Sequence, residues 1–407
     1  MPGAVKPPMM PRLFAAQGSS LAEHHARFGE MPAIGAQLIP MLTEAGLSGR
    51  GGAGFPSGRK IASITGRKPV VVGNGSEGEP LSRKDAQLLT RAPHLVLDGL
   101  DAAAAAIDAD KVYLYLHAGA APTVARAIDE RRAAGLDPTR VMVVEAPDRF
   151  IAGEESAAIR RIEGGPALPR DRTALATVSG LRGRPTLVNN VETLAHMGLI
   201  ARFGSAWFRS VGDTDDPGTM LVTYSGALRE HGVVEVPTGA LLTELLEHDG
   251  STDAETVRAV LIGGYHGSWI PSSALAGTRL SRSGLKELGA SPGAGIIHAL
   301  SRSECGLIRT AEIATYLAEQ SARQCGPCLN GLPRIAELLN QLAHDRADEQ
   351  LVHEIHRVTA LVDGRGSCRH PDGTARMIRS ALRTFADEIE LHQHRRCVGT
   401  ESITSGS

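Results

Sequence analysis

Aromatic residues, net charge and long apolar runs are all scarce in this sequence. Only 3% of its 407 residues are aromatic, and the formal net charge is −2. A nearly neutral chain with so few rings lacks both the positive field and the stacking surfaces with which proteins bind nucleic acids. No stretch approaches the roughly 20 consecutive apolar residues that a membrane-spanning helix requires. We therefore expect no nucleic-acid partner, and no transmembrane helix within this sequence.

Cysteine is also scarce, and its spacing excludes one class of protein. Five cysteines, unevenly spaced along 407 residues, do not form the framework of a disulfide-stapled secreted domain. The amino-terminal residues are rich in proline and contain no apolar core of the signal-peptide type. These features predict a disordered arm over residues 1–29 and a cytoplasmic location.

The apolar pattern of the first half predicts an α/β domain. Strand-like runs at 68–80, 111–119 and 140–147 alternate with helix-like runs at 94–107 and 121–136. Such alternation is typical of parallel βαβ units. The domain is expected to occupy residues 30–212, up to a polar linker.

The second half changes character twice. Two strand-like runs, at 219–228 and 232–240, are joined by a short turn and precede a helix-like run at 241–250 and a strand-like run at 257–265. This order of hairpin, helix and strand predicts a small β-grasp domain. Helical patterns then continue on both sides of a cysteine motif. The expected limits are 213–298 for the β-grasp domain, 299–395 for the helical domain and 396–407 for a tail.

The glycine-rich stretch GLSGRGGAGFPSGRK, at residues 46–60, is a candidate ligand-binding loop. Glycine allows positive φ and close approach of a ligand, and loop amides near a helix start can hold a phosphate or a flavin. The spacing is not the GxGxxG of dinucleotide-binding folds. A flexible surface loop is the alternative, although the embedded Phe55, Pro56 and Lys60 favour ligand binding.

Three further stretches contain paired polar side chains. The pairs are Glu77 and Glu79, Glu154 and Glu155, and Asn189 and Asn190. The first pair follows an apolar strand, where α/β sheets bind ligands, and its carboxylates suit ribose or ribityl hydroxyls. The amides of the third pair suit the edge of a flavin ring. The ordinary alternatives are a solvated acidic turn, charge at a helix start and helix capping.

The motif CGPC at residues 325–328 admits three interpretations. A thioredoxin-type dithiol should follow a strand, whereas the preceding residues have a helical pattern. A zinc site needs four ligands, and Cys368 and His370 are two further candidates. An iron–sulfur site combines a C-x2-C group with a remote cysteine, and Cys325, Cys328 and Cys368 provide three of the usual four thiolates.

Together these stretches resemble the flavoprotein (F) subunit of respiratory NADH:quinone oxidoreductase and the related diaphorase subunits of soluble hydrogenases and formate dehydrogenases. The resemblance covers roughly residues 30–390 and depends on the β-grasp segment and on GRGGAGFPSGRK, GNGSEGEP, GEESA, PTLVNNVET and CGPCLNG, in matching order. It implies an α/β fold with a Rossmann-like FMN-binding core, a β-grasp module of the soluble-ligand-binding (SLBB) type and a C-terminal helical bundle. It also implies hydride transfer from NAD(P)H to FMN, followed by transfer of single electrons to an iron–sulfur centre.

The resemblance implies roles for individual residues. FMN contacts are expected at Gly49, Gly51, Lys60, Asn74, Glu77, Glu154, Asn189, Asn190 and Thr193, and Phe150 occupies a position beside the flavin that is usually held by tyrosine. NAD(P)H contacts are expected at Phe55, Glu79 and Glu155, and the two carboxylates are the candidate catalytic residues. Cluster ligands are expected at Cys325, Cys328 and Cys368.

Several positions depart from the family pattern. Ala322 stands in place of the first cluster cysteine, Ser76 in place of a flavin-side aspartate, Ser63 and Leu175 in place of stacking aromatics, and Arg369 and His370 in place of small or apolar residues. An alanine cannot bind iron. The cluster is therefore expected as a [4Fe-4S] centre with another fourth ligand such as Cys397, as a [3Fe-4S] centre, or as lost.

The resemblance also implies a partner. We expect a thioredoxin-fold or ferredoxin-like electron-transfer subunit, and a peripheral place in a membrane complex is a further expectation. Two other functions remain as alternatives: a flavin-only oxidoreductase without a cluster, and a degenerate adaptor that keeps the fold.

Overall fold

The first sheet of the protein has four parallel strands in the order β3-β2-β1-β4. The computed structural model describes residues 11–171, 174–249, 252–345 and 347–401. The strands are β1 (Val70–Gly75), β2 (Lys111–His117), β3 (Met142–Ala146) and β4 (Thr186–Asn190). The alternating pattern predicted the first three strands but not β4, a five-residue strand that directly precedes a long helix.

Helices cover both faces of this sheet. They are α1 (Leu21–Phe28), α2 (Leu38–Ala45), α3 (Ser57–Ala62), α4 (Lys84–Arg91), α5 (Pro93–Ile107), α6 (Ala121–Ala133), α7 (Glu155–Ile162), α8 (Ala176–Ser179) and α9 (Val191–Arg209). A Cβ at Gly99 of α5 would overlap the carbonyl oxygen of Leu194 in α9. Glycine therefore permits the close packing of these two helices, which together bury one face of the sheet.

The strand order creates a crevice at the carboxyl ends of β1 and β4. The chain runs outward from β1 to β2 and β3, and then returns to the opposite side of β1 as β4. Asn74 of β1 is directly opposite Asn190 of β4. Ligands of parallel α/β sheets bind at such reversals of strand order, outside the carboxyl ends of the strands.

Residues 11–29 are packed against the protein, which corrects the prediction of a disordered arm for this part. Leu13 is completely buried, and its backbone N–H donates to a carboxylate oxygen of Glu235 at 2.8 Å. Ser20 caps α1, since its hydroxyl accepts from the N–H of Glu23 at 3.3 Å. Proline and small residues concealed this packing, because the anchoring contacts lie more than two hundred positions away in sequence. The first ten residues of the predicted arm lie outside the described part of the chain.

The second sheet has five strands in the order β6-β5-β9-β7-β8. They are β5 (Thr219–Gly226), β6 (Gly232–Pro237), β7 (Val257–Ile262), β8 (Ser268–Pro271) and β9 (Ile296–Ser301), with α10 (Leu242–Glu244) and α11 (Arg282–Lys286) between them. The predicted hairpin is confirmed as the antiparallel pair β5 and β6, and β5 also pairs in parallel with β9. The predicted helix at 241–250 is shorter, since α10 continues only as a wider turn over Leu245–Asp249.

The C-terminal part is helical. Its helices are α12 (Gly306–Glu319), α13 (Leu332–Asn340), α14 (Glu349–Val362), α15 (His370–Thr384), α16 (Ala386–Gln393) and α17 (Val398–Glu401). The helical run over residues 374–394 is interrupted at Phe385, whose ring packs edge-on against Trp269 of the second sheet at 5.2 Å between centroids. None of the helices in the described ranges has the length and apolar character needed to cross a bilayer.

Candidate functional site

The glycine-rich loop lies against the start of α9. The backbone N–H of Arg50 donates to the hydroxyl of Thr193 at 2.8 Å. A Cβ at Gly51 would lie 3.1 Å from the Cβ of Asn190, which is tighter than ordinary contact. The loop therefore forms one wall of the crevice, and Thr193 holds it there.

Two predicted side chains of the same loop point in different directions. Phe55 is 51% exposed, and its carbonyl accepts a 2.9 Å hydrogen bond from the N–H of Gly49, which closes the loop. Lys60, in α3, donates to the carbonyl oxygen of Val188 at 2.5 Å and pairs with Glu155 at 3.2 Å. The loop thus combines a ring facing solvent with a half-buried cation that joins β4 to α7.

Asn189 and Asn190 end β4 in unlike environments. Asn190 caps α9, and its amide donates to Asp85 at 2.7 Å while its oxygen accepts from Lys84 at 3.2 Å. Asn189 is buried, with 6% exposure, and its Nδ2 has no hydrogen-bond partner among the described residues. A buried amide donor without a partner is costly unless a ligand accepts from it. The capping alternative therefore applies to Asn190, and Asn189 is the unsatisfied donor of the crevice.

Asn74 and Glu154 hold the loop that precedes α7. The amide of Asn74 donates to the carbonyl oxygen of Gly153 at 2.9 Å, and its oxygen accepts from the N–H of Ser76 at 3.2 Å. Glu154 caps α7, since its carboxylate accepts from the N–H of Ser156 at 2.8 Å. Both side chains therefore position backbone around the crevice.

Glu77 faces inward and caps α4. Its carboxylate accepts from the N–H groups of Asp85 and Ala86, at 3.0 and 3.1 Å, and from the hydroxyl of Ser82. Burial raises the pKa of Glu77, and the nearby carboxylate of Asp85 raises it further. Asn74 and Glu154 hold the loop before α7, and Glu77 holds the segment between β1 and α4.

Glu79 connects the crevice to the second sheet. Its carboxylate accepts from the N–H of Tyr265 at 2.9 Å and from the N–H of Leu81 at 3.4 Å. Burial raises the pKa of Glu79 to about 7, although these hydrogen bonds oppose the shift. A carboxyl group with this pKa can hold or release a proton at neutral pH.

Phe150 lies where the crevice meets the helical region. Its ring packs edge-on against His266 and His370, at 4.7 and 5.6 Å between centroids, and its N–H donates to the side chain of Gln320 at 3.3 Å. His370 Nδ1 lies 3.1 Å from His266, and its Nε2 lies 2.8 Å from the carbonyl oxygen of Leu317. Burial lowers the pKa of His370 to about 4. Both ring nitrogens of His370 are already within hydrogen-bond distance of other groups, so His370 is not available as a zinc ligand beside the cysteines.

The structure brings Cys325, Cys328 and Cys368 together. Cys328 lies in a wide turn over Pro327–Gly331 and is buried, with 1% exposure. Burial raises the pKa of its thiol to about 12, and the thiols of Cys325 and Cys368 add to this shift. The backbone N–H of Arg323 opposes the shift by donating to the Cys328 sulfur. Three neighbouring thiols with an amide donor can hold a cationic iron centre, which favours their thiolate forms.

The residues around the CGPC motif are only partly helical, although the sequence pattern predicted helices on both sides of it. α12 ends at Glu319, so the residues immediately before Cys325 are not helical. Neither are they a strand, so the thioredoxin-type context is absent here.

Cys397 does not lie near these thiols. Its sulfur is within 4.8 Å of Cys305, at the opposite end of α12 from Cys325. α12 has 14 residues and, at a rise of 1.5 Å per residue, spans about 21 Å. The expectation that Cys397 is the fourth cluster ligand is therefore wrong.

Three of the six positions that depart from the family pattern lie at the surface. Leu175 is 66% exposed, and Ser63 is exposed after α3, where its hydroxyl donates to the carbonyl oxygen of Lys60 at 2.7 Å. Arg369 points to solvent and pairs with Asp372 at 2.8 Å. None of these three side chains is buried in the crevice.

Sequence reasoning missed residues that other parts of the chain contribute to this site. Tyr265 and His266 come from the loop between β7 and β8, and Gln320 from the end of α12. Arg282 lies over the glycine-rich loop, since a Cβ at Gly54 would overlap its guanidinium. No local motif surrounds these residues, so the sequence gives no signal of their role.

Comparisons with known proteins agree with this geometry. A family model described as the Nuo51 FMN-binding domain matches residues 42–198, and one described as the NADH-ubiquinone oxidoreductase-F iron-sulfur binding region matches residues 309–392. The second F-type subunit of NADH-quinone oxidoreductase in Rhizobium meliloti is 31% identical over 379 residues, which are 89% of this chain and 90% of that protein. The F-type subunit of Streptomyces coelicolor is 31% identical over 372 residues, or 87% of this chain and 82% of that protein.

A solved structure is similar over the same length. The crystal structure of an NAD+-reducing [NiFe]-hydrogenase in its H2-reduced state superposes with a TM-score of 0.81 at 28% sequence identity. The match covers 89% of this chain, and this chain spans 63% of the hydrogenase chain. The similarity therefore extends through the parallel sheet, the mixed sheet and the helical region.

Proposed function

This chain belongs to the family of NADH-quinone oxidoreductase F-type subunits, and we propose that it transfers a hydride from NAD(P)H to FMN and then passes single electrons to an iron–sulfur centre. The observation that carries the flavin part is the buried amide of Asn189, which has no partner within the described residues. FMN, when bound, converts the two electrons of a hydride into single electrons. The protein contributes binding, orientation and proton control.

The crevice residues fit a flavin. Asn189 would donate to a polar edge of the ring system, and Gly51 leaves room for close approach beside Asn190. Lys60 and Glu155 would hold the opposite side through their ion pair of 3.2 Å. Thr193 keeps the loop in place, while Asn74, Glu77 and Glu154 hold the surrounding backbone. Gly49 closes the loop on which these contacts depend.

The nicotinamide side combines one exposed ring with two carboxylates. Phe55 is open to solvent for stacking. Glu155 is part-buried in its ion pair with Lys60, and Glu79 is part-buried where it accepts from two backbone N–H groups. Because burial raises the pKa of Glu79 to about 7, it can exchange a proton close to neutral pH. We assign Glu79 and Glu155 to contacts with the dinucleotide, and Phe150 to the wall between the flavin and the cluster cysteines.

The cluster cysteines fit an iron–sulfur centre with three protein thiolates. Cys325, Cys328 and Cys368 would bind the iron, and Ala322 leaves the fourth position without a protein sulfur. A [3Fe-4S] centre, or a [4Fe-4S] centre with a ligand from outside the chain, matches this set.

We also propose a division of the chain into domains. A Rossmann-like FMN domain at 30–212 is supported by the parallel sheet, and a β-grasp domain of the SLBB type at 213–298 by the mixed sheet with β5 parallel to β9. A helical cluster domain at 299–395 and a tail at 396–407 complete it. Because the relatives are named as subunits, we propose that the chain works at the periphery of a larger complex, with a thioredoxin-fold or ferredoxin-like partner protein. We also propose a cytoplasmic location.

One assay tests this function against the two alternatives. The full chain is purified anaerobically with and without added FMN, and NADH-dependent reduction of ferricyanide is measured. Activity that requires FMN supports the proposal. Iron in the same sample distinguishes the proposed function from that of a flavin-only oxidoreductase. A chain that retains no flavin and shows no activity after reconstitution, yet still binds a partner protein, would be an adaptor instead.

A further inference from the structure

A second group of metal-binding side chains lies at the other end of the helical region. One ligand atom each from Cys305, His392 and Cys397 lies within 4.8 Å of the other two. Cys305 is distant in sequence from the other two residues, and α12 separates the group by about 21 Å from the end that carries Cys325. The group therefore forms a site distinct from the cluster cysteines.

His392 is oriented as a metal ligand. Its Nδ1 lies 3.2 Å from the carbonyl oxygen of Leu342, and its Nε2 lies 3.4 Å from the sulfur of Cys305. A carbonyl oxygen only accepts, so Nδ1 carries the hydrogen, and the lone pair of the neutral ring is at Nε2, towards the sulfur. Ligating histidines commonly donate their other nitrogen to a backbone carbonyl in this way.

Two of the three side chains lie at the ends of packed helices. Cys305 is the residue before α12 and is 6% exposed. The N–H of the next residue, Gly306, donates at 2.7 Å to Glu388, which pairs with Arg258 at 2.7 Å. His392 lies in the last turn of α16. Cys397, the third ligand, comes from the C-terminal segment, whose backbone at residue 399 lies close to the loop before α12.

The distances suit a small, thiophilic dication. Zinc binds cysteine sulfur at about 2.3 Å and histidine nitrogen at about 2.0–2.1 Å, which places tetrahedral sulfur and nitrogen ligands roughly 3.5 Å apart. The observed separation of 3.4 Å between Cys305 and His392 agrees with this value. The carboxylate of Glu388, which accepts from the N–H of Gly306, adds negative charge beside Cys305.

We propose that Cys305, His392 and Cys397 bind one Zn²⁺ ion, with a water molecule in the fourth position. The two thiols lose their protons to solvent when the ion binds, so the site gains two thiolates and one neutral imidazole. The ion then ties α17 and the turn before it to the start of α12. The site serves as a structural clamp on the C-terminal segment and takes no part in the electron-transfer reaction.

The test uses the full chain with Cys325, Cys328 and Cys368 all replaced by serine, so that thiolate binding reports on this site alone. Cobalt(II) is added anaerobically as a spectroscopic substitute for zinc. We expect one equivalent to give the visible bands of tetrahedral thiolate-bound cobalt, and zinc to displace it. Cys397→Ser and His392→Gln should each weaken binding at least tenfold, while His394→Gln, a change two residues away, should leave it unchanged.

A second measurement covers the case in which the triple variant does not fold. Zinc per chain is compared in the otherwise unchanged protein and in Cys397→Ser, each grown with added zinc. The proposal predicts about one zinc fewer in the variant, together with faster proteolytic cleavage near residue 395. Equal zinc content, cobalt binding that survives Cys397→Ser, or a disulfide joining Cys305 to Cys397 in the freshly isolated protein would each overturn it.

Discussion

The carboxylate of Glu79 accepts a 2.9 Å hydrogen bond from the backbone N–H of Tyr265 and thereby joins the crevice of the parallel sheet to the mixed sheet. Burial raises the pKa of this carboxyl from 4.5 to about 7. The folded state therefore holds a proton that the unfolded state releases between these two pH values. The contribution of this group to stability is complete below pH 4.5 and is lost as the pH rises through 7.

Glu79→Gln should remove this part of the pH dependence. We expect the free energy of unfolding of the wild type to fall by about 2 kcal/mol more than that of the variant between pH 5 and pH 8. Denaturant titrations at several pH values measure this difference. Glu287→Gln, which removes an exposed carboxylate, is the control and should follow the wild-type curve. A variant that keeps the full wild-type slope would show that Glu79 does not titrate in this window.

Asn189 and Asn190 should respond differently to the same substitution. Asn189→Leu removes a buried donor that has no partner in the described structure, so stability without FMN should change by less than about 1 kcal/mol. FMN affinity should fall roughly tenfold, since one hydrogen bond to the flavin is lost. Quenching of FMN fluorescence measures the affinity.

Asn190→Leu is the matched comparison. Its side chain bonds Lys84, Asp85 and the backbone of Glu192, so we expect the free energy of unfolding to fall by about 2 kcal/mol or more. If Asn189→Leu instead destabilises the protein as strongly and leaves FMN affinity unchanged, Asn189 is a structural residue.

The sequence predicted the strands β1, β2 and β3 and the hairpin because their apolar periodicity is regular. It missed β4, since five strand residues directly precede the helix that Asn190 caps. Its grouping of Cys325, Cys328 and Cys368 came from the resemblance, and the structure places these three thiols near one another. The sequence misplaced Cys397, because proximity to Cys305 arises from the return of α16 alongside α12. Contacts of this kind, like those of Tyr265 and His266, depend on the tertiary fold and leave no local pattern.

Ala322→Cys should complete the cluster site. A fourth thiolate satisfies the usual requirement of a [4Fe-4S] centre, so anaerobic reconstitution should give about four iron atoms per chain without a ligand from outside the chain, and an EPR spectrum different from that of the unchanged protein. Leu329→Cys adds a thiol to the same segment at an exposed position and should change neither. An EPR spectrum that does not respond to Ala322→Cys would contradict the assignment of this position.

Leu175→Phe should strengthen the binding of NADH. Leu175 is 66% exposed, the resemblance implies a stacking ring at its position, and such a ring contributes roughly 0.5–1.5 kcal/mol. We expect KM for NADH to fall between about twofold and tenfold with kcat little changed. Val178→Phe, a change at another exposed position in the next turn of the chain, is the control. Equal effects of the two substitutions would indicate a nonspecific gain in apolar surface.

Anaerobic titration of the FMN-reconstituted protein with NADH tests the central claim most directly. The flavin absorbance should decrease as NADH is added, and the end point should lie near one NADH per bound FMN plus half an NADH for each cluster that accepts one electron, before any artificial acceptor is present. A flavin that stays oxidised in excess NADH, but is bleached by dithionite, would contradict hydride transfer from the dinucleotide to FMN in this protein.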